Sequence, residues 1–248
     1  MTSWKEVLAI PGDRKAGAAK DPLASHGFDF APCVSDGDVI GIVDLINLQT
    51  ANPEDKSRNV MRPLRSSDLV ESEAPIADLL AWMTISPFYI VLSGNQPVGI
   101  VHRSDTDKQP VRSYFYLLLS DLEMGLVELL NRSTTDDSWR KFVSTRHLRE
   151  AERKVGQAQR KGLDLNLFHY LYLSDFLEIL HGKRQGLSRL GIRLHDLEQA
   201  AAAILRLRKL VAHPTRHILD EFTTAELLEV NHALQGLIGN IYGFLEKK

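Results

Sequence analysis

Phe88-Tyr-Ile-Val-Leu-Ser-Gly-Asn-Gln-Pro-Val-Gly-Ile-Val101 is an apolar run, a turn tetrad (Ser-Gly-Asn-Gln) and a second apolar run, the pattern of a β-hairpin. Fifty-eight residues upstream, Phe30-Ala-Pro-Cys-Val-Ser-Asp-Gly-Asp-Val-Ile-Gly-Ile-Val43 aligns with it without a gap. Five of the fourteen positions are identical and the closing Gly-Ile-Val is shared whole, so the first part of the chain is a tandem repeat. A helix precedes the second hairpin. In Ala74–Met83, Pro75 lies near the start and Ile76, Leu79, Leu80 and Met83 recur at i, i+3, i+4 and i+7. The matching helix of the first copy is expected to be poorly formed, because Gly12, Gly17 and Pro22 interrupt it. Residues 48–60 are polar and contain Asn52-Pro53, which reads as the linker between copies; residues 105–111 are similarly polar and end the repeat.

The second copy resembles a cystathionine-β-synthase (CBS) domain. Val60-Met-Arg-Pro63 stands where that family has a Val-Met-Thr-Pro-like opening, and Glu73-Ala-Pro-Ile76 and the helix follow. Gly99-Ile-Val-His-Arg-Ser-Asp105 then overlies the family's Gly-h-h-Thr-x-x-Asp, where h is apolar. In the first copy Gly41-Ile-Val-Asp-Leu-Ile-Asn47 puts Asp44 at the Thr position and Asn47 at the Asp position. The resemblance implies an α+β CBS pair over residues 1–105, with copies at about 1–48 and 59–105. It also implies an adenine nucleotide (AMP, ADP or ATP) as regulatory ligand. Asp105 would accept from both ribose hydroxyls, as an ionised carboxylate can. His102, in place of the Thr, either donates beside it or obstructs.

From Pro110 the period changes to 3.6. Residues 111–130 carry Tyr114, Leu117, Leu118, Leu122, Leu126 and Leu129 along a wide apolar face, which predicts a long core helix with Arg112 at its start and Glu123 within it. A polar helix is expected near Thr145–Lys161, and a third from an Asp164 cap through Leu180. Another spans about His195–Ala212. The last is capped by Thr223 or Thr224, with Glu226 completing a capping box from Thr223. Leu205-Arg-Leu-Arg-Lys-Leu-Val-Ala-His-Pro214 closes the fourth of these on Pro214, which cannot continue a helix. Arg-to-His spacings of this kind recur at Arg140/His147, Arg189/His195 and Arg206/His213. Context singles out Arg208/His213: an apolar helix behind, and Ala212 and Pro214 on either side of the histidine.

That end-of-helix Arg, four residues, His, Pro arrangement resembles the signature of HEPN domains, helical bundles that are usually dimeric. Many are metal-independent ribonucleases, and others act as binding or dimerisation modules. The resemblance implies an all-α HEPN-like domain over residues 110–248. Its catalytic candidates are Arg208, His213 and Glu123, the last as the acidic neighbour of the arginine. RNA brings its own 2′-hydroxyl nucleophile, so no metal or other cofactor is required. His213 would serve as general base or acid, and Arg208 would stabilise the phosphorane oxygens. The product would be a 2′,3′-cyclic phosphate with a 5′-hydroxyl. Five residues on an unbroken helix turn about 140°, so the helix must end before His213 or Arg208 must reach around. Active members of that family usually carry Asn, Asp or His after the arginine, where this chain has Lys209.

Composition bounds the remaining classes. With 44% hydrophobic and 25% charged residues the chain reads as a soluble globular protein, and no apolar run approaches a membrane span. The start lacks a signal-peptide plan and Cys33 has no second cysteine to pair with, so a cytoplasmic protein without a metal site is expected. Residues 1–105 hold 9 Lys/Arg against 14 Asp/Glu (−5), and residues 106–248 hold 21 against 18 (+3). There is no Gly-rich phosphate loop and no Gly-x-Ser-x-Gly elbow. Two functions are therefore weighed. In one, a nucleotide-sensing CBS pair controls a HEPN-type ribonuclease or RNA-binding domain, as a homodimer. In the other, a non-catalytic regulatory or dimerisation protein binds adenine nucleotides. His213→Ala separates them.

Overall fold

Along the chain, the first part runs β1 (Thr2–Ser3), β2 (Ile10–Pro11), α1 (Ala16–His26), β3 (Phe30–Ser35), β4 (Asp38–Asp44), α2 (Leu45–Thr50), α3 (Ser57–Val60), β5 (Arg62–Pro63), β6 (Leu69–Glu71), α4 (Ile76–Ile85), β7 (Phe88–Ser93) and β8 (Gln96–His102). The structure is a computed structural model and describes residues 1–134, 136–183 and 194–247; Arg189 of the Arg189/His195 spacing lies outside them. The chain divides into two units, Met1–Thr106 and Asp107–Lys248.

Both hairpins form where the turn chemistry puts them. Asp36 and Gly37 have φ of 53° and 93°, the left-handed pair that a tight turn between right-twisted strands requires, and Gly94 has φ 59° in the second. Each hairpin is flanked by two short strands, giving sheets ordered β2-β3-β4-β5 and β1-β8-β7-β6. The outer strands are exchanged. β5, at the head of the second copy, pairs antiparallel with β4 of the first; β1, at the head of the first, pairs antiparallel with β8 of the second. The repeat is thereby tied to itself in both directions. Ile42 of one hairpin and Phe88 and Ile90 of the other share a buried cluster, with Trp4, Phe30 and Ile100 packed around it. Each copy also has its own core, one around Leu23, Cys33 and Val43 and one around Met83, Tyr89 and Val101.

The first-copy helix departs from expectation. α1 runs straight through Gly17 and Pro22 and buries Ala16, Ala19 and Leu23 on one face. Gly17 packs closely there: a Cβ would sit 3.1 Å from the Pro53 side chain of the linker, whose carbonyl accepts from the Gly17 N–H at 3.1 Å. Tertiary burial thus outweighs the roughly 3 kcal/mol that an interior proline costs. The helix stops at Gly27, with φ 66°, where Phe28 N–H returns to the Leu23 carbonyl.

The exchanged strand β5 is held by a bidentate pair. Arg62 Nη1 and Nη2 donate to Asp68 at 2.6 and 2.8 Å, and Arg65 N–H donates to the same carboxylate at 2.8 Å. Burial pushes the Asp68 carboxyl up, but the Arg62 and Arg65 hydrogen bonds outweigh it and hold the group below the ordinary aspartate value. A lowered folded pKa contributes stability above the unfolded value and loses it as pH falls through the folded one. Wild type should therefore exceed Asp68→Asn by about 2 kcal/mol at pH 7, a buried-pair value discounted because Arg62 is partly exposed. In urea titrations that gap should close below about pH 4; a gap unchanged at pH 3 would refute the assignment.

The second unit is helical: α5 (Gln109–Ser133), α6 (Thr145–Arg160), α7 (Leu173–Gly182), α8 (Leu194–Ala212) and α9 (Thr224–Glu246), with short 3-10 turns between. α5 buries Val111, Phe115, Leu119, Leu122 and Leu126, while Leu117, assigned to the core by periodicity, is 62% exposed. Apolar residues surround that helix on nearly every side from Tyr114 to Leu119, so spacing alone does not choose the face. The single helix expected from Asp164 to Leu180 is two elements. Asn166 caps the turn Leu167–Tyr170, and Asp175 reaches back to the Tyr172 N–H at 3.0 Å to start α7. The Thr223/Glu226 capping box forms in both directions. No described helix is long and apolar enough to cross a membrane.

Candidate functional site

The two hairpins and the N-terminal segment enclose a cavity of about 300 Å³, at the small end of ordinary ligand pockets. Its wall takes Phe28, Asp29 and Phe30 from the first copy, Phe88, Ile100, His102 and Asp105 from the second, and Thr2 and Leu8 from the N-terminal segment. Each copy contributes both aromatic surface and a carboxylate to the wall: Phe28, Phe30 and Asp29 from the first, Phe88 and Asp105 from the second.

Asp105 is 4% exposed. Its Oδ2 accepts from the His102 N–H at 2.7 Å and its Oδ1 from the Met1 ammonium at 3.1 Å. The first contact is local and fixes the carboxylate at the end of β8. The His102 imidazole is pushed down in pKa by burial, against the opposing pull of Asp105 and Asp29, so it is neutral at pH 7. Its Nδ1 accepts from the Ser104 N–H at 3.3 Å, which leaves the ring proton on Nε2 as a donor. The first copy has no counterpart. Asp44 caps α2, accepting from Asn47 N–H and Asn47 Nδ2 at 2.6 Å each, so both side chains at the equivalent positions satisfy one another.

In the second unit the end of α8 gathers the other candidates. Arg208 Nε donates to Glu123 of α5 at 3.2 Å, so the expected arginine–acid neighbours do meet, on a partly exposed surface. α8 stays helical through Ala212, and His213, preceding a proline and so disfavoured in the α region, leaves it. His213 is exposed, and its N–H donates to the Leu210 carbonyl at 3.1 Å. No contact joins its ring to Arg208 or Glu123 among the described residues. What fixes this end of the helix is Arg112. Its Nη1 donates to the Leu210 carbonyl at 2.9 Å, its Nε to the Asp107 carbonyl at 3.0 Å, and its Nη2 to the Asp107 carboxylate at 2.7 Å and to the Arg216 carbonyl. Asp107 also accepts from the Ile218 N–H at 2.8 Å and pairs with the exposed His217.

No family model matches the sequence, and no curated protein matches it. Among solved structures, the chain is similar to the CBS domains of a transcriptional regulator from Streptococcus pneumoniae, with 20% identity over 42% of this chain and 88% of that one, TM-score 0.38. A hemolysin-like protein containing a CBS domain from Oenococcus oeni PSU is 17% identical over 43% of this chain and 82% of that one, TM-score 0.37. CbpB in complex with c-di-AMP is 16% identical over 41% of this chain and 74% of that one, TM-score 0.36.

The structure thus places His102 and Asp105 on one cavity and brings Glu123 to Arg208. Sequence reading passed over Asp107 and His217, and left Arg112 without a role. Their only linear signal is an aspartate just before a helix whose second residue is proline, which gives no hint of a partner a hundred residues away. Among the described residues no group of His, Cys, Asp and Glu is arranged to hold a metal.

Proposed function

We propose that the chain is a regulatory protein whose N-terminal CBS pair binds an adenine nucleotide and thereby controls a HEPN-like helical domain that binds or cuts RNA, as a homodimer. The observation that carries the first half is the buried Asp105 at the wall of an aromatic-lined cavity, beside a neutral His102 with a donor proton. A ribose diol supplies two donors to such a carboxylate, and Phe28, Phe30 and Phe88 offer an apolar lining for a base. The diol takes up Asp105 in exchange for the Met1 contact. Control requires that the nucleotide bind two arrangements of the protein with different affinity.

The second half rests on the resemblance and on the Arg208–Glu123 pair. The non-catalytic alternative is favoured by one feature: an α8 unbroken past Arg208, with His213 exposed beyond its end. Titration calorimetry with AMP, ADP and ATP tests the ligand. Asp105→Ala should weaken binding about 10- to 100-fold, as expected for hydrogen bonds to a charged group; unchanged affinity removes the site from this cavity. Incubation with mixed-sequence RNA in EDTA, with and without nucleotide, tests the chemistry. Cleavage to cyclic-phosphate ends that His213→Ala abolishes supports a nuclease, and absence of cleavage under every condition selects the non-catalytic protein.

A further inference from the structure

α6 carries most of the basic charge of its region on one face. Taking about 100° per residue, Arg146, Arg149, Arg153 and Arg160 fall within an arc of about 60° and span about 21 Å of helix. All four are exposed, and none makes an ion pair among the described residues. The acids nearby are already engaged: Glu150 with Lys154 at 2.9 Å and Glu152 with Arg140 at 2.7 Å. The opposite face is buried through Ala151 and Ala158, which anchors the helix and leaves no apolar side to enter a bilayer.

One edge of the stripe is built differently from an ordinary solvated surface. His147 Nδ1 pairs at 2.7 Å with Asp175, which is 4% exposed and whose other oxygen starts α7. The Tyr172 ring, 37% exposed, lies 4.7 Å from the His147 ring, and its hydroxyl donates to Glu150 at 3.1 Å. By the same helical geometry Glu150 lies between His147 and the arginines. An exposed aromatic ring, packed against His147 with the Lys154 ammonium 5.9 Å from its centre, therefore borders a row of guanidinium groups that make no ion pair among the described residues, Arg160 Nε donating to the Gly156 carbonyl at 3.1 Å. Guanidinium rows engage successive phosphates, and aromatic rings at the edge of such rows stack on unpaired bases.

We propose that this face of α6 is a track for single-stranded nucleic acid, with the four arginines on phosphates and Tyr172 against a base. The choice of RNA over DNA rests on the reading of the second unit as an RNA-handling domain; the track itself does not depend on His213. The net charge of −2 conceals the site, because its positive charge is local and the surplus acid lies in residues 1–105.

Fluorescence anisotropy of the full chain with a labelled, non-cleavable 2′-O-methyl RNA 12-mer and a DNA 12-mer of the same sequence, from 50 to 300 mM salt, tests it. Replacing all four arginines by Gln should lower the slope of log affinity against log salt by about 3, since each single-strand phosphate contact contributes about 0.7. At about 0.1 M salt the same variant should bind at least about tenfold more weakly. Tyr172→Leu should weaken binding about 5- to 100-fold with the slope unchanged. Glutamine is a good helix former, and a retained melting curve shows the fold intact. Four outcomes overturn the proposal. The quadruple variant keeps the wild-type slope; or binding falls only in Arg208→Gln/His213→Ala, which moves the RNA to the end of α8 and leaves the proposed function standing. In the third, wild type binds neither strand. In the fourth, it binds phosphatidylserine vesicles and no oligonucleotide. Absence of cleavage with the track intact rejects the nuclease reading alone.

Discussion

Gly99→Ala should destabilise the first unit by about 3 kcal/mol, and Gly41→Ala should do the same. A Cβ on Gly99 would lie 2.4 Å from the Thr2 carbonyl oxygen, and one on Gly41 would lie 2.4 Å from the Arg62 carbonyl oxygen. Both obstacles are backbone atoms of the exchanged strands, in register with the glycines themselves: Ser3 opposite Gly99 and Pro63 opposite Gly41. A side-chain neighbour would rotate away; a paired strand has to move as a unit and give up its ladder. Gly236→Ala on α9 is the control. Nothing lies within 4 Å of its Cβ, so alanine there should stabilise by about 0.5–1 kcal/mol through helix propensity. Urea unfolding followed by circular dichroism reads both signs in one experiment. If Gly99→Ala unfolds at the wild-type denaturant concentration, β1 does not pair where the structure puts it.

The same glycines show what the sequence made legible. The shared Gly-Ile-Val end was visible as a repeat because both copies solve one steric problem, and a steric problem with a single small solution leaves an identical residue behind. The hairpin turns and the Thr223/Glu226 box were legible for a similar reason, since each depends on residues within a few positions of one another. The strand exchange was not. Thr2-Ser3 and Arg62-Pro63 are two-residue strands whose partners lie about 97 and 21 residues away, and nothing in so short a segment encodes a partner. Likewise α1 survives Gly17 and Pro22 through burial of Leu23 and packing of Pro53, which no local propensity contains. In the candidate sites, Asp105 was legible by motif position. Its second partner, the Met1 ammonium, was not, because that contact exists only after β1 has crossed to the other hairpin.

Arg112→Met should cost the second unit about 4 kcal/mol, far more than any exposed ion pair in the chain. Arg112 is 5% exposed and holds three separated stretches: Asp107 before α5, Leu210 at the end of α8, and Arg216 in the loop after it. Methionine fills much of the volume but takes away the arginine's donors to the Asp107 carboxylate and to the Asp107, Leu210 and Arg216 carbonyls, and buried polar groups that lose a partner carry a desolvation penalty. Lysine should recover little, since a single ammonium with three donors cannot reach the four acceptor atoms that the planar guanidinium spans. The loop from His213 to His217 should then open, with faster hydrogen exchange at the Ile218 amide and faster tryptic cleavage after the exposed Arg216. Arg208→Gln provides the contrast. Its pair with Glu123 is partly exposed on both sides, so its loss should change stability by less than about 1 kcal/mol. A variant of Arg112 that melts like wild type would mean that the end of α8 is held by Pro214 and its own hydrogen bonds alone. If the stability losses fall as expected, any change in RNA cleavage or binding by Arg208→Gln reports on chemistry at that surface, because the architecture beneath it rests on Arg112.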